Sequence, residues 1–117
     1  MTEAHLISRE QWADEPDAWK GEFEGGAFGA GLSVIFVSTD EIGYGPKLHR
    51  HPYPETFIVR VGRARFTVGD RTIDAEAGQI VVAPANVPHK FENLGPGRLE
   101  TIDLHEAGAF STEWLEG

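Results

Sequence analysis

The chain contains no cysteine. That absence excludes disulfides, thiolate zinc sites, iron–sulfur clusters and a cysteine nucleophile, and it leaves the redox compartment open. Long apolar runs are missing too. Nothing approaches the roughly 20 residues of a membrane-spanning helix, and the opening MTEAHLISREQW has no apolar stretch of the secretory type. The expectation is a cytoplasmic protein with no membrane partner. Basic residues are scarce: ten Lys and Arg stand against nineteen Asp and Glu, for a net charge of −9. Such a surface repels a phosphate backbone, so no nucleic-acid partner is expected. The acidic residues are spread along the chain and read as solubilising surface charge.

What remains is a chain of 117 residues, 40% hydrophobic, with seven Phe and three Trp. That length suits one domain, residues 1–117, able to bury a core without a staple. The first 27 residues are mixed, and SREQWADEPDAW is read as a short helix or irregular structure. After it come seven short stretches rich in Val, Ile, Phe and Thr: 32–39, 55–62, 64–69, 71–78, 79–85, 89–95 and 98–105. Gly, Pro or Asn punctuates them, which is the pattern of strands joined by turns. Gly69-Asp70 reads as the tip of a tight hairpin, and LGPGR (94–98) as another turn. No 10- to 15-residue helical stretch alternates with the strands, so the class is all-β, a sandwich or small barrel. The last segment, FSTEWLEG, is read as a helical turn whose Phe110, Trp114 and Leu115 cover one sheet face.

The stretch HRHPYPE (49–55) concentrates the coordinating chemistry. In a strand, residues i and i+2 share a face, so His49 and His51 point to one centre while Arg50 turns away. Pro52 and Pro54 cannot donate to a sheet ladder and favour a turn. On the strand that follows, Glu55 shares a face with Phe57, Val59 and Val61. A carboxylate on an otherwise apolar face is costly unless paired or metal-bound. His-x-His alone is a weak signal, and this set fits a metal site or a polar turn. His89, on a face with Phe91 and Asn93, is the fourth candidate if the strands bring it to the same mouth.

Two segments then match a known pattern. GYGPKLHRHPYPETFIVRVG (43–62) resembles the first cupin motif, and GQIVVAPANVPHKFEN (78–93) the second. The segment between them, 63–77, has the short length of small bacterial cupins. One departure is clear: the second motif usually has Gly two residues after its proline, and here that position is Asn86. Asn tolerates the left-handed conformation glycine serves there, so the turn is expected to survive. The resemblance implies a double-stranded β-helix, or jelly roll, with its core barrel over about 30–106. It implies one divalent transition metal (Fe, Mn, Ni, Zn, Co or Cu) held by His49, His51, Glu55 and His89.

Three histidines, one glutamate and a divalent ion carry a local charge of about +1, which favours small anionic ligands. Cupin enzymes use this set for dioxygenation, decarboxylation and isomerisation, so the resemblance implies a metal-dependent enzyme, dioxygenase-like or one of the other two. The alternative is a non-enzymatic cupin that binds or senses a small molecule. No residue is singled out as catalytic. Tyr53, Phe57 and His105 are substrate-binding candidates: Tyr53 at the rim, Phe57 on the inner face, His105 near the end of the last strand. Lys47 and His5 read as solvated surface, and GAFGAG precedes a strand instead of a helix, which argues against a phosphate loop. Relatives often dimerise through an outer sheet face, and SVIFV and QIVV have two apolar faces, so a homodimer is expected.

Overall fold

A computed structural model describes residues 3–116. The chain begins with a short helix α1 (Arg9–Trp12), where the Ser8 N–H donates to the Gln11 side-chain Oε1 at 2.8 Å. Ten strands follow: β1 (Gly21–Glu24), β2 (Ser33–Thr39), β3 (His49–Arg50), β4 (Glu55–Val61), β5 (Arg63–Val68), β6 (Arg71–Glu76), β7 (Ile80–Ala83), β8 (His89–Asn93), β9 (Leu99–His105) and β10 (Glu113–Trp114). A 3₁₀ turn, Gly25–Phe28, separates β1 from β2.

The strands form two antiparallel sheets of five, β1-β2-β9-β4-β7 and β10-β3-β8-β5-β6. This is the double-stranded jelly-roll arrangement expected from the sequence. The chain crosses between sheets at short connections. Gly62, the only residue between β4 and β5, has φ 84, and a Cβ there would clash with the Arg98 carbonyl oxygen. Only glycine fits both the backbone and the space. The hairpin at Gly69-Asp70 is present, with Val68 opposite Arg71.

Alternation places the core. Along β4, Glu55, Phe57 and Val59 are buried while Thr56 and Ile58 are partly exposed. Along β9, Leu99, Thr101, Asp103 and His105 are buried on the inner face. The closed end of the barrel is apolar. Phe57, Phe66 and Phe91 meet with ring centroids 5.0–5.7 Å apart, in tilted and edge-on geometries. Val59, Ala64, Val81 and Leu99 complete that cluster.

The outer face of the first sheet is apolar as well. The register aligns Phe36, Ile102, Ile58 and Ile80 in one row across β2, β9, β4 and β7. Trp12 covers the β2 end of it, stacked on Phe36 at 4.0 Å. At the β7 edge Ile80 and Val82 remain 60% and 55% exposed.

The final segment corrects the sequence expectation. It forms a strand, β10, in place of a helical turn: Glu113 and Trp114 pair with Arg50 and His49 of β3. The pairing is decided by a partner more than 60 positions away, and two residues carry too little pattern to announce it. The covering role is closer to what was expected. Phe110 packs edge-on against His105 at 4.9 Å, and Trp114 lies tilted over His49 at 4.9 Å, although Trp114 and Leu115 are largely exposed.

Candidate metal centre

The prolines of HRHPYPE carry the chain from one sheet to the other. His49 opens the two-residue strand β3 of the second sheet, His51 follows directly after it, and Glu55 opens β4 of the first. His89 opens β8 directly opposite His49, and His105 closes β9 directly opposite Glu55. Five coordinating residues from both sheets therefore meet at one mouth of the barrel. All five are buried. The loop before His89 is held by Asn86, whose φ of 66 is the left-handed conformation expected of the motif's usual glycine. Its N–H donates to the His51 carbonyl at 2.7 Å, tying the second motif to the first.

One ligand atom from each of His49, His51, Glu55 and His89 lies within 4.8 Å of the others. The outer ring nitrogens explain how the rings are aimed. Nδ1 of His49, His51 and His89 lies 2.6, 2.8 and 3.0 Å from the carbonyl oxygens of Lys47, Ser111 and Val87. A carbonyl only accepts, so each Nδ1 carries a proton, and when the ring is neutral its Nε2 lone pair is left to face inward. Glu55 Oε1 sits 3.0 Å from Nε2 of both His51 and His89. Lone pairs facing a carboxylate at that distance repel unless a positive charge lies among them. A divalent ion satisfies all of these groups together. The His51 Nε2 is buried, close to the carboxylate yet not aligned to hydrogen-bond with it. The donor set therefore fits a metal ion.

The electrostatics agree. Burial works to raise the Glu55 pKa, but the nearby His105, His51 and His89 outweigh it and hold the carboxyl well below the ordinary range. Burial lowers the His49 pKa, assisted by the neighbouring His89 and His51. For His51, burial is overcome by Glu55 and the Ser111 carbonyl, and the pKa is raised.

The mouth opens into a cavity of about 530 Å³. Ile35 and Val37 line it from the first sheet, Phe91 from the second, and Tyr44 and Pro46 from the loop before β3. Phe57 and His105 also line it. Tyr53 does not stand at an open rim. It is buried, its ring stacks on His51 at 5.0 Å, and its hydroxyl lies 2.8 Å from His105 Nδ1 and accepts the Ser111 N–H at 3.2 Å.

One residue escaped the sequence reading. Asp103 is 3% exposed, lines the cavity one row below Glu55, and its Oδ1 has no protein partner. Burial and the Glu55 charge raise its pKa well above the ordinary range, which favours the neutral acid. Its position two residues before His105 on the same inner face was the available signal.

Comparison with known proteins converges on the same architecture. The Cupin domain family model matches residues 36–105. An uncharacterized protein of Streptomyces coelicolor, SCO3923, is 41% identical over 44 residues, 38% of this chain and 42% of that one. Among solved structures, Bacillus subtilis oxalate decarboxylase, a protein with Mn(II) centres, superposes with a TM-score of 0.76 at 25% identity, over 91% of this chain and 30% of that chain. The Lactobacillus farciminis oxalate decarboxylase, in its formate complex, gives 0.72 at 24% identity over 80% of this chain and 30% of that chain. The chain thus spans less than half of the length of each of these relatives. With the matched motifs, the jelly roll and the buried His/Glu group in place, the chain belongs to the cupin family.

Proposed function

We propose that residues 1–117 act as a single metal-dependent enzyme domain on a small anionic organic compound. In this reading His49, His51, Glu55 and His89 hold one divalent transition metal. Nitrogen and oxygen donors suit iron, manganese, nickel, cobalt, copper or zinc. The observation that carries the proposal is the common orientation of the three histidines, each with Nδ1 on a carbonyl, grouped with Glu55 so that one ligand atom from each lies within 4.8 Å of the others. When bound, the metal supplies Lewis acidity, and for a redox-active ion electron transfer, at about two positions left open by four protein ligands. The chain's own residues supply a largely apolar cavity wall, which strengthens charge interactions beside it. Phe57 forms part of its wall. The reaction class is dioxygenation, with decarboxylation or isomerisation as the alternatives. The oxalate decarboxylase neighbours support a carboxylate among the substrates.

Elemental analysis of the purified protein tests the site. The wild type is expected to carry about one transition metal per chain, and His49→Ala less than about a tenth of that, since loss of even a supporting partner costs 10- to 100-fold in affinity. Equal metal in both would refute it. Metal-loaded protein that is stabilised by small carboxylates yet converts none of them would identify a binding or sensing cupin instead.

The homodimer belongs to this proposal too. Exposed Ile80 continues the apolar row of Ile58 and Ile102 on the outer sheet face, and exposed Val82 sits beside it in the row of Thr56 and Leu104. A second copy covering that face removes the patch from water. Sedimentation is expected to show a dimer, and Val82→Glu a monomer.

A further inference from the structure

The four buried histidines at the mouth are not alike. Three of them place Nδ1 on a backbone carbonyl. His105 places Nδ1 2.8 Å from the Tyr53 hydroxyl instead. That hydroxyl already accepts the Ser111 N–H at 3.2 Å, so its own proton is free to go to His105 Nδ1. A ring that accepts at Nδ1 carries its proton on Nε2. His105 therefore shows an N–H to the site where its neighbours show lone pairs.

This N–H lies close to Glu55 yet has no aligned acceptor in the chain. His105 is 1% exposed, lines the cavity, and its Nε2 has no aligned partner, although Glu55 Oε2 lies 2.9 Å away off the hydrogen-bond direction. A buried donor without an aligned acceptor costs free energy that an incoming acceptor would recover. The ring is fixed on several sides: Phe110 edge-on at 4.9 Å, Tyr53 at 5.4 Å and His51 at 4.7 Å. It cannot swing away to find another partner.

We propose that the His105 Nε2–H recognises an anionic oxygen of a small carboxylate or enolate bound at the metal centre. Tyr53 is a positioning residue, which sets the His105 tautomer from outside the cavity. The inference rests on the metal-centre reading and names how the ligand is selected beside it. A metal ion holds one oxygen of a carboxylate, and a donor beside Glu55 fixes the second. A neutral ring does this without adding charge.

Nitrogen-15 NMR of the imidazoles in metal-free protein at about pH 8 tests the first half. His49, His51 and His89 are expected as Nδ1–H tautomers and His105 as Nε2–H. In Tyr53→Phe, His105 is expected to become a mixture. An Nδ1–H tautomer for His105 in the wild type would overturn the proposal. The second half is read by titrating Co(II) and then oxalate. Tyr53→Phe and His105→Ala are expected to bind Co(II) within about threefold of wild type and oxalate at least tenfold more weakly, with His105→Gln, which keeps an N–H donor, recovering part of the loss. Three outcomes would each overturn the donor role: Co(II) lost from His105→Ala as from His49→Ala, oxalate binding undiminished in the variants, or no oxalate bound by Co(II)-loaded wild type. A wild type that takes up no Co(II) would refute the metal-centre reading itself, and the tautomer spectra separate that failure from the others.

Discussion

The two ends of the barrel are built from the same strands and follow opposite rules. Strand β4 places Glu55 at the mouth and Phe57 and Val59 below it; β8 runs from His89 to Phe91; β9 runs from His105 through Asp103 and Thr101 to Leu99. At the closed end, apolar side chains pack against one another. At the mouth, the orphaned nitrogens of His51 and His105 and the Asp103 oxygen lack protein partners. Burying polar atoms in that state costs free energy that only a bound species returns. One end therefore holds the fold together, and the other spends part of that stability on a site.

Truncation at the closed end should give the largest effect. Phe66 is 1% exposed and meets both Phe57 and Phe91. Phe66→Ala should destabilise the chain by about 3–5 kcal/mol, through lost transfer energy and the cavity left behind. Urea unfolding checks this. Metal bound per folded chain should stay unchanged if the two ends are independent, and a parallel loss of metal would show them coupled.

Metal addition comes next and acts at the mouth alone. With free metal at 100 times its dissociation constant, the holo form should gain about 2.7 kcal/mol over the metal-free form. That gain depends on pH, because metal displaces the histidine protons. The His51 pKa is raised in the metal-free chain, so the gain should begin to fall while the pH is still above 6.5. His49, with its pKa lowered, adds its own loss only below 6.5. The metal-free chain moves the other way. The stability contributed by the raised His51 is fully present below its unfolded pKa and is lost as pH rises through the folded one. Acid thus narrows the gap between the two forms from both sides. Thermal melts with and without metal across pH 5–8 check the sign, and a gap independent of pH would argue against histidine ligation.

The same contrast explains what could be read from the sequence. The seven strands announced themselves because Val, Ile, Phe and Thr alternate between turn residues, and that signal is local. The grouping of His49, His51 and Glu55 is also local, set by spacing and two prolines. His89 needed the motif, because its place opposite His49 depends on register. Strands β1 and β10 were missed for the converse reason. GEFE is short and half polar, and β10 exists only because β3 offers it an edge. The direction of His105 stayed open because it depends on the pairing of β9 with β4, where His105 faces Glu55. Asp103 was passed over because a carboxylate in a strand is ordinarily solvent-facing. Its i, i+2 relation to His105 places the two on one face, but only sheet register shows that face lying beneath Glu55.

Asp103 gives the smallest expected effect and the finest test of the mouth. Its pKa is raised in the fold by burial and by the Glu55 charge, so the folded chain holds this proton more tightly than the unfolded chain. Where the unfolded state binds fewer protons, stability falls as pH rises. The penalty from Asp103 is thus absent below about pH 3.9, its unfolded pKa, and grows as pH rises toward the folded value. Asp103→Asn removes the ionisation while keeping the shape. At pH 7 this variant should melt about 3 °C or more above wild type in the metal-free state, and the difference should vanish near pH 4. A destabilised Asn variant at pH 7 would mean that the carboxyl is ionised in the fold and has found a cationic partner. The mouth would then be closer to self-satisfied than its orphaned atoms indicate, and the contrast between the two ends would shrink accordingly.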